Sequence, residues 1–346
     1  MARRSLLLVA SAALVVGAGW SSQASPSSSP CWDAALVSVR TGKVLRRFSP
    51  GSVAVADGRG GWFVAGAGVE RLRSAGRVGA AWRAQLPRHR TVTSLVRVGD
   101  TLYLGDGRRV FALAAATGAL LWSSQPVAGQ EPSIVALAAS RSTVYLGGRF
   151  TRFGHANRAA LAALNAATGR LLPWRGPALS LYAGSHPVVT ALAVGAERLY
   201  FGGTFTRVGG RSRTASVAAV RVGDGKLTAF VPRSRIFAPA TIVLSRGRVL
   251  IGGPEGGGVF RASTGALVSR MKPLEHANVI SVGGSIAYLG GTLRDQISGH
   301  NLLALDLRSG KLEKWSPNVA RYVSVETIAL SGGKAFIGGE LCSRLS

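Results

Sequence analysis

Short apolar runs rich in Val, Leu and Ala recur along the chain between clusters of Gly, Asp and Ser. Their length, and the absence of a helical period, predict strands throughout and hence an all-β fold. Two landmarks alternate. One is an apolar strand closing on glycine: WFVAG (Gly66), LYLGD (Gly105), VYLGG (Gly147), LYFGG (Gly202), VLIGG (Gly252), AYLGG (Gly290) and AFIGG (Gly338). The other is a strand, a tight turn and a strand, with the turn centred on Gly42, Gly76, Gly118, Gly169, Gly225, Gly265 and Gly310. Five of these seven turn glycines follow Thr or Ser, and an aromatic residue follows most of the turns (Phe48, Trp82, Trp122, Trp174, Phe230, Trp315).

Each unit therefore reads as four antiparallel strands, a to d. Strand b ends on the first landmark, and c and d flank the second. Glycine in the c–d turn supplies the positive φ of a tight hairpin. The aromatic of strand d is placed to wedge between neighbouring units. Repeats of about 40 to 55 residues built this way predict a β-propeller. Seven of each landmark alternate strictly, beginning with a turn at Gly42 and finishing with a strand end at Gly338. The expected ring has seven blades. The first strands (c, d) pair with the last (a, b) and leave no open sheet edge. The unit spanning residues 51–82 carries the weakest copy of the pattern.

The same register brings the only two cysteines together. Cys342 lies four residues after Gly338 and Cys31 eleven before Gly42. In units with a short b–c loop the equivalent positions are two residues apart, at most ~7 Å between Cα atoms. That overlaps the span of about 4.4 to 6.8 Å that a disulfide accepts. A Cys31–Cys342 bond is expected in place of the missing b–c loop of the closing unit.

The N-terminus reads as a targeting segment. MARR is a positive n-region, SLLLVASAALVVGAG an apolar h-region, and SQA a cleavage site after Ala24. Residues 1–24 are thus expected to be a signal peptide, 25–30 a short flexible leader, and 31–346 one secreted propeller domain. No later segment has the length and apolarity of a membrane span.

Hydrophobic residues make up 47% of the 346-residue chain and charged ones 16%, a balance that excludes a disordered protein. The net charge is +27, and lysine occupies only six positions, so arginine carries most of it. Such a charge attracts polyanions: an acidic glycan, a wall polymer or nucleic acid.

The fullest copies, IVALAASRSTVYLGGRFTRFGHANRAALAALNAATGRLLPW and VVTALAVGAERLYFGGTFTRVGGRSRTASVAAVRVGDGKLTAF, resemble the repeats of secreted bacterial β-propellers. GGxFTxxG resembles delta-60-type repeats, and ALxxxTGxLxxW resembles the PQQ-like (quinoprotein) repeat. The resemblance spans nearly all of residues 31–346. It implies the fold, with the motif residues serving structure: the Phe and Thr of GRFT and GTFT pack and pin the b–c excursion. Quinoprotein dehydrogenases of this kind also carry calcium-binding acids, catalytic carboxylates and often adjacent cysteines. None of these patterns stands out here, and no cofactor is expected.

In such a blade the b–c loops and d–a links open on one face, and the a–b and c–d turns on the other. All five histidines fall on the first face: His89, His186 and His276 in d–a links, His155 and His300 in b–c loops. The long b–c insertions add Arg149, Arg152, Arg158, Arg207, Arg211, Arg213 and Arg294, while Arg88 and Arg90 flank His89. Arginine forks suit phosphate, sulfate or carboxylate. Glu131, Glu275, Asp295 and Glu340 lie nearby without metal-ligand spacing, and no G-x-S-x-G elbow, P-loop or dinucleotide fingerprint occurs in its required context. The expectation is a secreted, non-enzymatic binding or scaffolding module with an anionic partner. The alternative is an enzyme, either a divergent quinoprotein or a metal-assisted lyase or hydrolase using His186, His276 or His300 as base.

Overall fold

A computed structural model of the chain describes residues 33–48, 53–66, 68–73, 78–87, 91–182, 185–213, 215–254, 256–270, 277–291, 301–315, 317 and 324–339. Among them there are strands, turns and loops but no helix, as the apolar pattern predicts.

Seven sheets follow one plan and are numbered here by the position of strand a. These strands are Val53–Ala56, Ser94–Val98, Ser133–Ala139, Val188–Val194, Thr241–Ser245, Ala277–Gly283 and Val325–Ser331. In each, strand a pairs antiparallel with strand b, and strand b with strand c. Sheets 1, 2, 5 and 7 carry a full strand d. In sheets 3, 4 and 6, strand d shrinks to single bridges, Leu164 with Leu171, Val220 with Leu227 and Leu305 with Leu312. The local sequence shows why in two of them. Pro173 follows Leu172 and has no N–H to donate. The Thr228 hydroxyl bonds the Ala219 carbonyl and accepts from the Phe230 amide, turning the chain after one rung.

Sheet 1, the weakest copy in sequence, still forms a four-stranded sheet, with a register shift between its c and d strands at Glu70 and Leu72. Sheet 7 is assembled from both ends of the described chain. Asp33–Ser38 and Val44–Phe48 pair with Val325–Ser331 and Lys334–Gly339 in the order Val44–Phe48, Asp33–Ser38, Lys334–Gly339, Val325–Ser331. Asp33 stands opposite Gly339, and Ser38 opposite Lys334.

The core lies between sheets. Strand a of sheet 1 packs against those of sheets 2 and 7, and the contacts continue from 2 to 3, 3 to 4, 4 to 5, 5 to 6 and 6 to 7. The glycine that ends strand b is required by this packing. A Cβ at Gly147 would lie 2.6 Å from the Val189 side chain of the next sheet, at Gly202 2.4 Å from Pro239, and at Gly290 2.5 Å from Val325. The tyrosine two residues before that glycine bonds forward as well: Tyr103 to the Ala166 carbonyl, Tyr145 to that of Val222, and Tyr200 to that of Ala262. The strand-d indoles do the same, Trp82 donating to Ala115, Trp122 to Ala166 and Trp315 to Ser38. These aromatics wedge between units as their spacing predicts. The c–d turn glycines 42, 118, 169, 225, 265 and 310 all have φ between +69 and +80. Gly76 lies outside the described residues.

Candidate functional site

In sheets 3 and 4 the chain leaves strand b and makes a small hairpin before strand c. The sequences FTRFG and FTRVG dictate it. Phe150, Phe153, Phe205 and Val208 are buried, anchoring an excursion that would otherwise be solvated. Gly154 and Gly209, at φ +54 and +57, turn the two hairpins. Arg152–Phe153 pairs with Ala156–Asn157, and Arg207–Val208 with Arg211–Ser212. The preceding d–a link supplies a third strand to each: Val127–Ala128 beside Phe153, and Leu179–Ser180 beside Val208. The Thr151 and Thr206 amides donate to Ala128 and Ser180, both at 3.0 Å. The Phe and Thr of the motif therefore pack and pin the excursion.

Antiparallel register places these hairpins at the end of the sheet where strand a begins, since Ser133 pairs with Arg149 and Val188 with Thr204. Sheets 3 and 4 are neighbours, so one surface gathers both sets of arginines. Arg149 Nη1 meets Glu131 Oε2 at 2.7 Å in an exposed ion pair. Arg152, Arg207 and Arg211 are exposed, and Arg207 Nη2 donates to the carbonyl of its own turn residue Gly210. Among the described residues none of these three has a carboxylate partner.

Arg158 and Arg213 occupy the same repeat position, eleven residues after Gly147 and Gly202. Their amides donate to Thr151 and Thr206 in the same way. Arg158 is 7% exposed and gives its two outer nitrogens to the carbonyls of Asn157 (2.9 Å) and Leu172 (3.2 Å). Burial, then the neighbouring Arg175, holds its acidity above that of a free guanidinium. Arg213 is half-buried, and burial followed by Arg211 lowers its pKa likewise.

His155 sits exposed on the turn of the sheet 3 hairpin, and His186 exposed in the link before strand a of sheet 4. The other named residues, His89, His276, His300, Arg88, Arg90, Arg294, Cys31 and Cys342, lie outside the described residues. Among the described residues no group of three or more His, Cys, Asp or Glu is placed to hold a metal ion, and no helix is long and apolar enough to cross a membrane. The sequence reading missed Arg175 beside Arg158. Its one signal is its position directly after the strand-d aromatic Trp174.

The comparisons fit this geometry. A family profile described as outer membrane protein assembly factor BamB matches residues 79–327, well over half of the chain. The chain belongs to this family. It is a PQQ-like β-propeller of the BamB type in its repeats, and solved propellers resemble it in fold. The computationally designed Ika8 protein aligns at TM-score 0.58 and 15% identity, over 86% of this chain and 84% of that one. The β-propeller domain of Cps50 (Swd1) from Myceliophteria thermophila aligns at 0.55 and 11%, over 83% and 96%. BamB from Moraxella catarrhalis aligns at 0.50 and 14%, over 86% and 88%. No curated protein matches the chain.

Proposed function

We propose that this protein is a secreted seven-bladed propeller that works as a binding or scaffolding module, holding an anionic partner on the face built by its b–c hairpins and d–a links. The seven sheets of one plan are read as the blades, and the mixed sheet of N- and C-terminal strands as the closure of the ring. The N-terminal residues 1–24 are read as the export signal.

One observation carries the functional part. The hairpins of two adjacent sheets present Arg152, Arg207 and Arg211 to solvent with no carboxylate partner among the described residues. Evenly mixed surfaces neutralise most exposed cations; these three stand on neighbouring hairpins without such neutralisation. A chain with 42 basic and 15 acidic residues cannot pair all its cations internally. The family's assembly-factor description accords with a scaffold rather than a catalyst. The partner class is an acidic glycan, a wall polymer or another polyanion.

Retention on an immobilised anionic polysaccharide, compared with a neutral one, tests this reading. Retention should be selective and should fall steeply as salt rises, because exposed charges lose their mutual attraction over a Debye length of about 8 Å at physiological ionic strength. Retention that is equal on both supports, or indifferent to salt, contradicts it.

A further inference from the structure

The two copies of one repeat position treat the same side chain differently, and the difference marks a site. In sheet 3 the guanidinium of Arg158 is closed off by the carbonyls of Asn157 and Leu172. In sheet 4 the equivalent Arg213 has no hydrogen-bond acceptor for its side chain among the described residues. Nε is buried without a partner among the described residues in both copies. What differs is the outer nitrogens, which donate to two carbonyls in sheet 3 and to no described residue in sheet 4. Donors left unmade are costly. Sheet 4 leaves that need unmet.

Arg213 lines a groove of about 620 Å³ between the b–c hairpin and the outer edge of its sheet. Arg211 and Ser212 share the hairpin wall, and Leu227, Thr228, Ala229 and Val231 form the opposite one, the Thr228 hydroxyl being engaged by the Ala219 carbonyl and the Phe230 amide. Val231 is 39% exposed, so that mostly apolar wall is open to solvent. No carboxylate lines the groove. Two guanidiniums that repel each other on one wall of a site without an acid are best neutralised by a group carrying two negative charges and several acceptor oxygens. The apolar wall suits an organic body on that group.

We propose that the groove of sheet 4 binds a phosphate monoester with an apolar substituent, its phosphate taken by Arg213 and Arg211 and its substituent lying on Leu227, Ala229 and Val231. The site rests on the anion-binding reading of this face and names one ligand class within it. A soluble ester and a phosphomonoester lipid headgroup share this chemistry.

Calorimetric titration of the full chain with butyl phosphate tests the site, with inorganic phosphate and butyrate as the truncated probes. Butyl phosphate should bind more tightly than either. Arg213→Gln should weaken it on the order of tenfold or more, the loss of charged hydrogen bonds, without lowering the melting temperature, since the Arg213 side chain bonds no described residue. Arg213→Lys, which keeps the charge and loses the fork, should fall between. Arg158→Gln should lower the melting temperature and leave the affinity unchanged. Sedimentation with phosphatidylcholine vesicles carrying phosphatidic acid separates the two sources: co-sedimentation lost in Arg213→Gln supports a lipid headgroup, and butyl phosphate binding alone supports a soluble ester. Absent butyl phosphate binding, binding unaltered by Arg213→Gln, or equal affinity for butyrate overturns the site. If the wild-type chain is still retained on an anionic polysaccharide in that case, only the groove has failed and the anion-binding face stands.

Discussion

Trp122 of sheet 2 lies across Gly169 of sheet 3. A Cβ on Gly169 would stand 2.4 Å from Cε3 of the indole, while the indole Nε1 donates to the Ala166 carbonyl of the same turn at 3.0 Å. The turn glycine thus answers two demands, a φ of +69 and the approach of a neighbouring ring. Gly169→Ala should cost about 2–4 kcal/mol, combining left-handed strain with overpacking. Gly210→Ala, at φ +80 but with open space around it, should cost only about 1–2 kcal/mol. Urea denaturation compares them, and equal losses would remove the interlock from the account.

The indoles differ in the same instructive way. Trp122 Nε1 has its carbonyl, whereas Trp174 Nε1 is buried with no partner among the described residues. Replacing either with Phe removes similar apolar bulk. Trp122→Phe should therefore be the more destabilising, by about 1–3 kcal/mol, because only it forfeits a bond while Trp174→Phe removes an unsatisfied donor. Denaturation midpoints in the reverse order would contradict this.

Stability should fall at both pH extremes for separate reasons. Burial tends to raise the Asp57 carboxyl, but the amides of Arg59 and Gly61 and the Arg71 guanidinium at 2.9 Å outweigh it, leaving its pKa below the usual value of 3.8. The unfolded chain then takes up that proton more readily than the folded one, so the stabilisation holds above the unfolded value and is lost as pH falls through the depressed one. Asp57→Asn should flatten the acid limb. Burial raises the phenols of Tyr103, Tyr145 and Tyr200 above 10.0, offset in part by Thr101, Thr143 and Arg198 respectively. Their contribution is complete below pH 10 and is lost as pH rises through the raised values. Chemical denaturation across the pH range reads both limbs; an acid limb unchanged by Asp57→Asn would sink the first assignment.

Much of this fold is legible in the chain because its constraints are local. A glycine after Thr or Ser marks a turn, and a glycine ending an apolar strand marks a backbone that another sheet touches. Trp and Tyr at fixed offsets mark the interfaces. What stays hidden depends on partners distant in sequence. Val127–Ala128 and Leu179–Ser180 show no strand pattern, since each is two residues long and exists only by pairing with a hairpin. The divergence of Arg158 from Arg213 is equally silent, because the two sit at one repeat position with the same motif around them. The arginine-bearing face could be anticipated from strand order alone; which of its guanidiniums are satisfied could not.

The terminal strands carry a covalent prediction. Asp33 pairs with Gly339, and Cys31 precedes Asp33 by two residues while Cys342 follows Gly339 by three. A disulfide between them would fasten the mixed sheet and, on the chain-entropy model, stabilise the fold by roughly 5 to 6 kcal/mol at most. A non-reduced tryptic digest of the protein should contain the linked peptides, and reduction should lower the melting temperature. Two free thiols in that digest would exclude the bond.

The central claim is that a particular face, and not net charge alone, holds the anionic partner. Reversing Arg152, Arg207 and Arg211 to Glu alters the hairpin end of sheets 3 and 4. Reversing Arg40, Arg141 and Arg170, exposed on turns at the opposite end, changes the net charge by the same amount. The decisive measurement is the affinity of the wild-type chain and both triple variants for one anionic polysaccharide at fixed salt. The hairpin triple should lose most of the binding and the opposite triple little. Equal losses would mean that the surface acts only through its total charge, and the binding face would have to be abandoned.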